Sequence, residues 1–113
     1  MIDFNCKLVR AADVNGKSWE EKANQFLVSI NGETFDFYMG SQKHEPTLDA
    51  CLYALCMDAE AEKMTFEEWC QEFGFNSDSI KDLKTYQQCV ENGRRLSLAG
   101  VDIEAERLRL ADF

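Results

Sequence analysis

No run in this 113-residue chain approaches the roughly 18 apolar residues that a membrane span needs. Met1 to Arg10 alternates apolar with polar residues and lacks the basic start and apolar stretch of a secretion signal, so the expected location is the cytoplasm. Histidine occurs once, at His44, and the five cysteines (Cys6, Cys51, Cys56, Cys70, Cys89) form no C-x-x-C pair. An odd number of thiols, each inside an expected strand or helix, is not a disulfide framework. A zinc site would have to draw most of its ligands from scattered elements, so the thiols read instead as small apolar residues of a reduced core. Also missing are G-x-S-x-G and a phosphate-cradling glycine loop, and nothing in the spacing ties His44 to a cysteine nucleophile. The expectation is a noncatalytic protein with no catalytic residue, metal ligand or cofactor. Bases are scarce, 12 against 21 acids, and a net charge of −9 repels a phosphate backbone, so direct nucleic-acid binding is not expected.

What is present suffices for one folded domain spanning residues 1–113, with 45% apolar and 29% charged residues. Ile2, Phe4, Cys6 and Leu8 alternate with polar residues and predict a first strand. Phe26, Val28 and Ile30 precede Asn31-Gly32, and Phe35, Phe37 and Met39 follow it. A two-residue type I′ turn there sets Val28 opposite Phe35 and Phe26 opposite Phe37, all on one face. Residues 11–24 stay open. A second hairpin at Asn15-Gly16 pairs Leu8 with Ala23 and Phe4 with Leu27, which is the wrong parity unless a bulge or a longer loop intervenes, and Ser18 with Glu21 also reads as a capping box for one helical turn.

After Gly40 the period becomes helical. Leu48, Cys51, Leu52, Leu55, Cys56 and Ala59 predict a helix near 48–61, with Thr47 as its cap. Thr65 with Glu68 opens a short helix carrying Phe66, Trp69, Cys70 and Phe73, ended by Gly74. A third, capped at Ser77, Asp78 or Ser79, runs from Ile80 past a weak point at Gly93 to Leu98. Asp102 begins a short, helical tail. Strands followed by helices predict an α+β domain: a small antiparallel sheet in residues 1–40, covered by three to four helices in residues 47–111.

The charge is not evenly spread. Residues 45–72 hold eight acids against Lys63 alone, so −7 of the −9 falls on 28 residues. Asp58 with Glu62 and Glu68 with Glu72 are like-charge i, i+4 pairs, each costing about 0.2–0.5 kcal/mol of helix stability. One reading makes these acids the solvated outer faces of two helices. The other makes Asp58, Glu60, Glu62, Glu67, Glu68 and Glu72 contacts to a basic partner. Mimicry of duplex DNA is weak, since one charge per ~6 Å of helix falls short of one per ~1.7 Å.

The run Phe66-Glu67-Glu68-Trp69-Cys70, then Glu72-Phe73-Gly74-Phe75-Asn76, Asp78-Ser79, Lys81, Tyr86 and Cys89, resembles the signature of a family of small, uncharacterised acidic proteins encoded by bacteriophages and prophages. Met39-Gly40-Ser41 and Pro46 also fit, and the resemblance covers roughly residues 35–98. It departs at Phe75-Asn76, where Tyr-Asp is expected, and at Ile80, where a base is expected. The resemblance implies a phage accessory protein in the bacterial host cytoplasm that binds and inhibits a basic host protein, such as a nucleic-acid-binding CRISPR or restriction effector. The competing expectation is an assembly component that self-associates through exposed aromatics such as Trp19 or Tyr38.

Overall fold

The computed structural model describes residues 2–40 and 45–111; His44 and Ser41 lie outside them. Among the described residues the chain is an α+β fold of three antiparallel strands followed by four α-helices. It divides into two compact units, residues 1–48 and residues 49–113.

The first unit is a sheet of order β1-β2-β3, with β1 at Phe4–Arg10, β2 at Asn24–Ile30 and β3 at Glu33–Met39. The expected hairpin is present: Asn31 and Gly32 take φ of 50° and 89°, and Val28 faces Phe35 while Phe26 faces Phe37. Asparagine and glycine are the residues that tolerate this left-handed pair of dihedrals. The register of β1 resolves the parity problem. Phe4, Cys6 and Leu8 face Ile30, Val28 and Phe26, three residues further along β2 than a turn at Asn15-Gly16 allows, and a bulge at Val9 then brings Arg10 opposite Gln25. The apolar parity is kept by the three-residue offset, that is by a longer loop than a two-residue turn, and not by the bulge.

Residues 11–23 form a loop clasped at its ends. The Arg10 guanidinium donates to the carbonyls of Glu20 (2.7 Å) and Glu21 (3.0 Å), and the Ala12 amide donates to Asn24 Oδ1 (2.7 Å). Ser18 Oγ accepts from the Glu21 amide at 3.2 Å, so the capping signal makes one closed turn and no helix.

Helix α1, Leu48–Asp58, lies in the second unit from Asp49 onward and tightens into a 3₁₀ segment, Ala59–Lys63, where the periodicity predicted three more residues of α-helix. Helices α2 (Phe66–Phe73), α3 (Ile80–Leu98) and α4 (Ile103–Arg109) follow. Ser79, not Ser77 or Asp78, caps α3, its side chain accepting from the Asp82 amide at 3.2 Å. Asp102 caps α4 in the same way. The stripe of α3 is shorter than its pattern: Ile80 and Leu98 at its two ends are exposed.

Gly93 is the reason the 3₁₀ segment lies against α3. A Cβ there falls 2.8 Å from Ala59 Cα and 3.1 Å from Ala59 Cβ, and against Glu62 Oε1 as well. Ala59, Ala61 and Gly93 are all buried at this crossing, so small side chains set the approach of the two backbones. Beside it Ala61, Trp69 and Cys70 form a buried cluster joined by Met64, Phe66, Tyr86, Cys89 and Val90.

Two substitutions test this packing. Propensity alone makes Gly93→Ala stabilising by ~1 kcal/mol, but the occupied space makes it destabilising by about 1–2 kcal/mol net in urea denaturation. Trp69 is 4% exposed, and Trp69→Ala is expected to cost roughly 3–5 kcal/mol in the same assay.

Candidate functional site

Helix α2 is short and held at both ends. Thr65 Oγ1 accepts from the Glu68 amide (3.2 Å) while Glu68 Oε1 accepts from the Thr65 amide (3.0 Å), a complete capping box. At the other end Gly74 takes a left-handed φ of 77°, and the amides of Gly74 and Phe75 both donate to Cys70 O at 2.9 Å. This reversal returns Phe75 onto Trp69, with ring centroids 4.3 Å apart and planes 8° from parallel. Phe66, Phe73 and Tyr86 surround the same indole at 5.5–6.3 Å, and Tyr86 donates its hydroxyl to Met64 O at 2.6 Å.

The cluster is not sealed. Phe73 and Phe75 remain 39% and 40% exposed and Met57 50%, although the periodicity placed Phe73 in the core. With Asp58, Trp69, Thr85 and Cys89 these side chains line an open groove of about 280 Å³. Sequence pattern hides such a feature, because an aromatic in a helical stripe reads as buried. The usable signal was Phe75, which lies beyond the Gly74 stop and so outside the stripe.

The six predicted acidic contacts separate into two groups. Asp58 turns toward α3, where its carboxylate accepts from Asn92 Nδ2 (3.0 Å) and from the Cys89 thiol (3.6 Å). Burial pushes its pKa up against those two hydrogen bonds. Glu60 is met by Arg107 of α4 and by Lys63 at 3.9 Å, and Lys63 also reaches Glu104 at 2.9 Å. Glu68 is engaged in the capping box, which holds its pKa below the ordinary value. Glu62, Glu67 and Glu72 are exposed, and among the described residues no basic side chain pairs with them. Nor do these three share one face. Glu67 and Glu72 are five residues apart on α2, about 140° around the helix, and they flank its apolar stripe on opposite sides. None of the three is among the side chains that line the groove.

The thiols offer no nucleophile near this groove. Burial, helped by the neighbouring Asp58 carboxylate, pushes Cys89 up to about 12, and burial raises Cys56 to about 11. Burial likewise raises Cys6 and Cys70. Among the described residues none of the five is in a disulfide, and no three His, Cys, Asp or Glu side chains converge where a metal ion could sit. A larger cleft of about 460 Å³ lies along α1 and α4 and includes Tyr53, Cys56, Leu108 and Arg107. Its charged groups, Glu104 and Arg107, already interact with each other at 3.8 Å and with Lys63 and Glu60, so it turns no unsatisfied charge to a ligand. No helix of the described residues is long and apolar enough to cross a membrane.

Comparison with family models, with curated proteins and with solved structures finds no match to this chain.

Two carboxylates of the helical unit, Asp58 at the groove and Glu91 on α3, titrate in opposite senses. Glu91, held by Arg94 and Arg95, is lowered to about 2, so the stability it adds is present above its unfolded value of ~4.3 and is lost as pH falls toward 2. Asp58 is raised, so its ionised form weighs against folding at neutral pH, and that penalty is relieved as pH falls through its folded pKa. Carboxyl NMR titration is expected to place Asp58 above the usual ~3.9 for aspartate and Glu91 well below ~4.3.

Proposed function

We propose that the chain is a noncatalytic binding module that docks a basic protein partner through the exposed carboxylates Glu62, Glu67 and Glu72. One observation carries this reading. Of the acids between residues 49 and 72, the fold engages Asp49 and Glu60 in ion pairs and Asp58 and Glu68 in hydrogen bonds, and leaves these three exposed with no cation among the described residues. Charge in water steers encounter and selects the partner more than it supplies affinity, which suits a basic surface that otherwise binds phosphate. The resemblance to phage and prophage proteins makes the partner a host protein of the bacterial cytoplasm, and inhibition of a nucleic-acid-binding defence effector is the activity consistent with that charge.

A second reading has its own observation. Trp19 is 58% exposed and packs edge-on against Tyr38, with centroids 5.7 Å apart, on the polar face of the sheet. Exposed Trp and Tyr are the residues enriched at protein contacts, and self-association through this pair is the assembly alternative.

Affinity capture from bacterial lysate, repeated at low and high salt, separates the two. Docking through the carboxylates predicts that capture weakens steeply with salt and that Glu62→Gln, Glu67→Gln and Glu72→Gln together lose the wild-type partners. Recovery of the same partners by the triple variant would refute it. Recovery of the chain's own copies alone, abolished by Trp19→Ser, would establish the assembly reading.

A further inference from the structure

We infer that Asn31 is a site of spontaneous covalent modification, its side-chain amide lost through attack by the Gly32 backbone nitrogen with water as the only co-reactant, and that the fold confines this chemistry to one of the three Asn-Gly pairs in the chain. Neither the acidic residues nor the aromatic groove enters into it.

Asparagine is a chemically labile residue, and a following glycine exposes it most, because no side chain hinders the glycine nitrogen. That nitrogen gives up its proton and bonds to the asparagine Cγ, the Cγ–Nδ2 bond breaks, and ammonia leaves with a proton. Water then opens the cyclic imide at either carbonyl to give aspartate or isoaspartate, and nothing is oxidised or reduced. The reaction therefore requires a glycine nitrogen that water reaches and that no other acceptor holds.

The three pairs differ in this respect. Gly16 is buried, its amide donates to Asp13 O at 2.9 Å, and a Cβ on it falls 2.6 Å from Glu21 Cβ, so its nitrogen is both bonded and enclosed. Gly93 is buried in the interior of α3, where its amide belongs to the helix ladder. The Asn92 side chain is also held at both ends, Oδ1 accepting from Gln88 Nε2 (2.9 Å) and Nδ2 donating to Asp58 Oδ2 (3.0 Å). Gly32, by contrast, is exposed, a Cβ there meets nothing within 4 Å, and among the described residues its amide has no acceptor. Asn31 is exposed as well, and its Oδ1 accepts from the Asp3 amide at 2.7 Å, a donor placed at the oxygen that gains negative charge as Cγ is attacked. A hairpin tip opens locally at far less cost than a helix interior.

Conversion adds one carboxylate to a chain of net −9. Aspartate keeps the turn, since Asp-Gly suits the same left-handed dihedrals. Isoaspartate lengthens the main chain by a methylene inside a two-residue turn, which disturbs the pairing of Ile30 with Glu33 and the hydrogen bonds between Asn31 and Asp3.

The test holds the native full chain in mildly alkaline buffer and follows each Asn-Gly pair by peptide mapping and mass, beside the same chain in concentrated urea. In the native chain Asn31 is expected to convert at least about tenfold faster than Asn15 or Asn92, giving both aspartate and isoaspartate, each about 1 Da heavier. In urea the three rates are expected to converge, since the pairs then differ only in their flanking residues. Asn31→Asp, which keeps a turn-forming pair, is expected to remove the fast native gain of mass. Native conversion at Asn15 or Asn92 as fast as at Asn31 overturns the inference, as does an Asn31 that stays intact in the native chain while the urea reference converts. The same ranking in urea as in the native chain assigns it to the flanking sequence and overturns the role of the fold.

Discussion

Helix α3 bears no side chain at Gly93, and Ala59 occupies the space where one would be. This close approach sets much of what the helical unit presents. To lie that near, the chain after Asp58 tightens from α to 3₁₀ geometry, and the two alanines Ala59 and Ala61 become the buried residues of the segment. The acids that alternate with them meet different partners. Asp58, the last residue of α1, meets Cys89 and Asn92, and Glu60 meets Lys63 and Arg107, while Glu62 stays exposed.

Trp69 plays a different part. A short helix of eight residues has little stability of its own, and the structure gives it a closed capping box, a left-handed stop and one large ring around which four others gather. The ring is covered from several sides, but the rings that cover it are not. Exposed Phe73 and Phe75 are thus the outer layer of a core too small to be closed by its own aromatics, and that incompleteness leaves the groove open.

Charge is compensated at a distance. Linear counting places −7 in residues 45–72, yet Arg109 of α4 reaches Asp49 at 2.8 Å and Arg107 reaches Glu60. Exposed pairs of this kind add little stability, about 0–1 kcal/mol each, but they decide which acids face solvent alone. The acidic segment is consequently a weaker field than its composition suggests, its exposed acids without an ion pair among the described residues being Glu45, Glu62, Glu67 and Glu72 with the capping Glu68.

The amino-acid sequence alone determined the features that depend on neighbours in the chain. The Asn31-Gly32 turn and its register, the Thr65–Glu68 box, the Gly74 stop, the strands-then-helices order and the burial of Trp69 all follow from spacing and local dihedral preference. Three matters were decided only by tertiary structure, each because it turns on residues far apart in sequence. The β1 register was set by a long loop over residues 11–23, which keeps the apolar faces together, with a bulge at Val9 beyond the last apolar pair. The role of Gly93 depended on Ala59, 34 positions earlier, so propensity marked it as a weakness where packing requires it. The fate of Asp49, Asp58 and Glu60 depended on groups of α3 and α4 that reach them, and no periodicity within residues 45–72 contains that information.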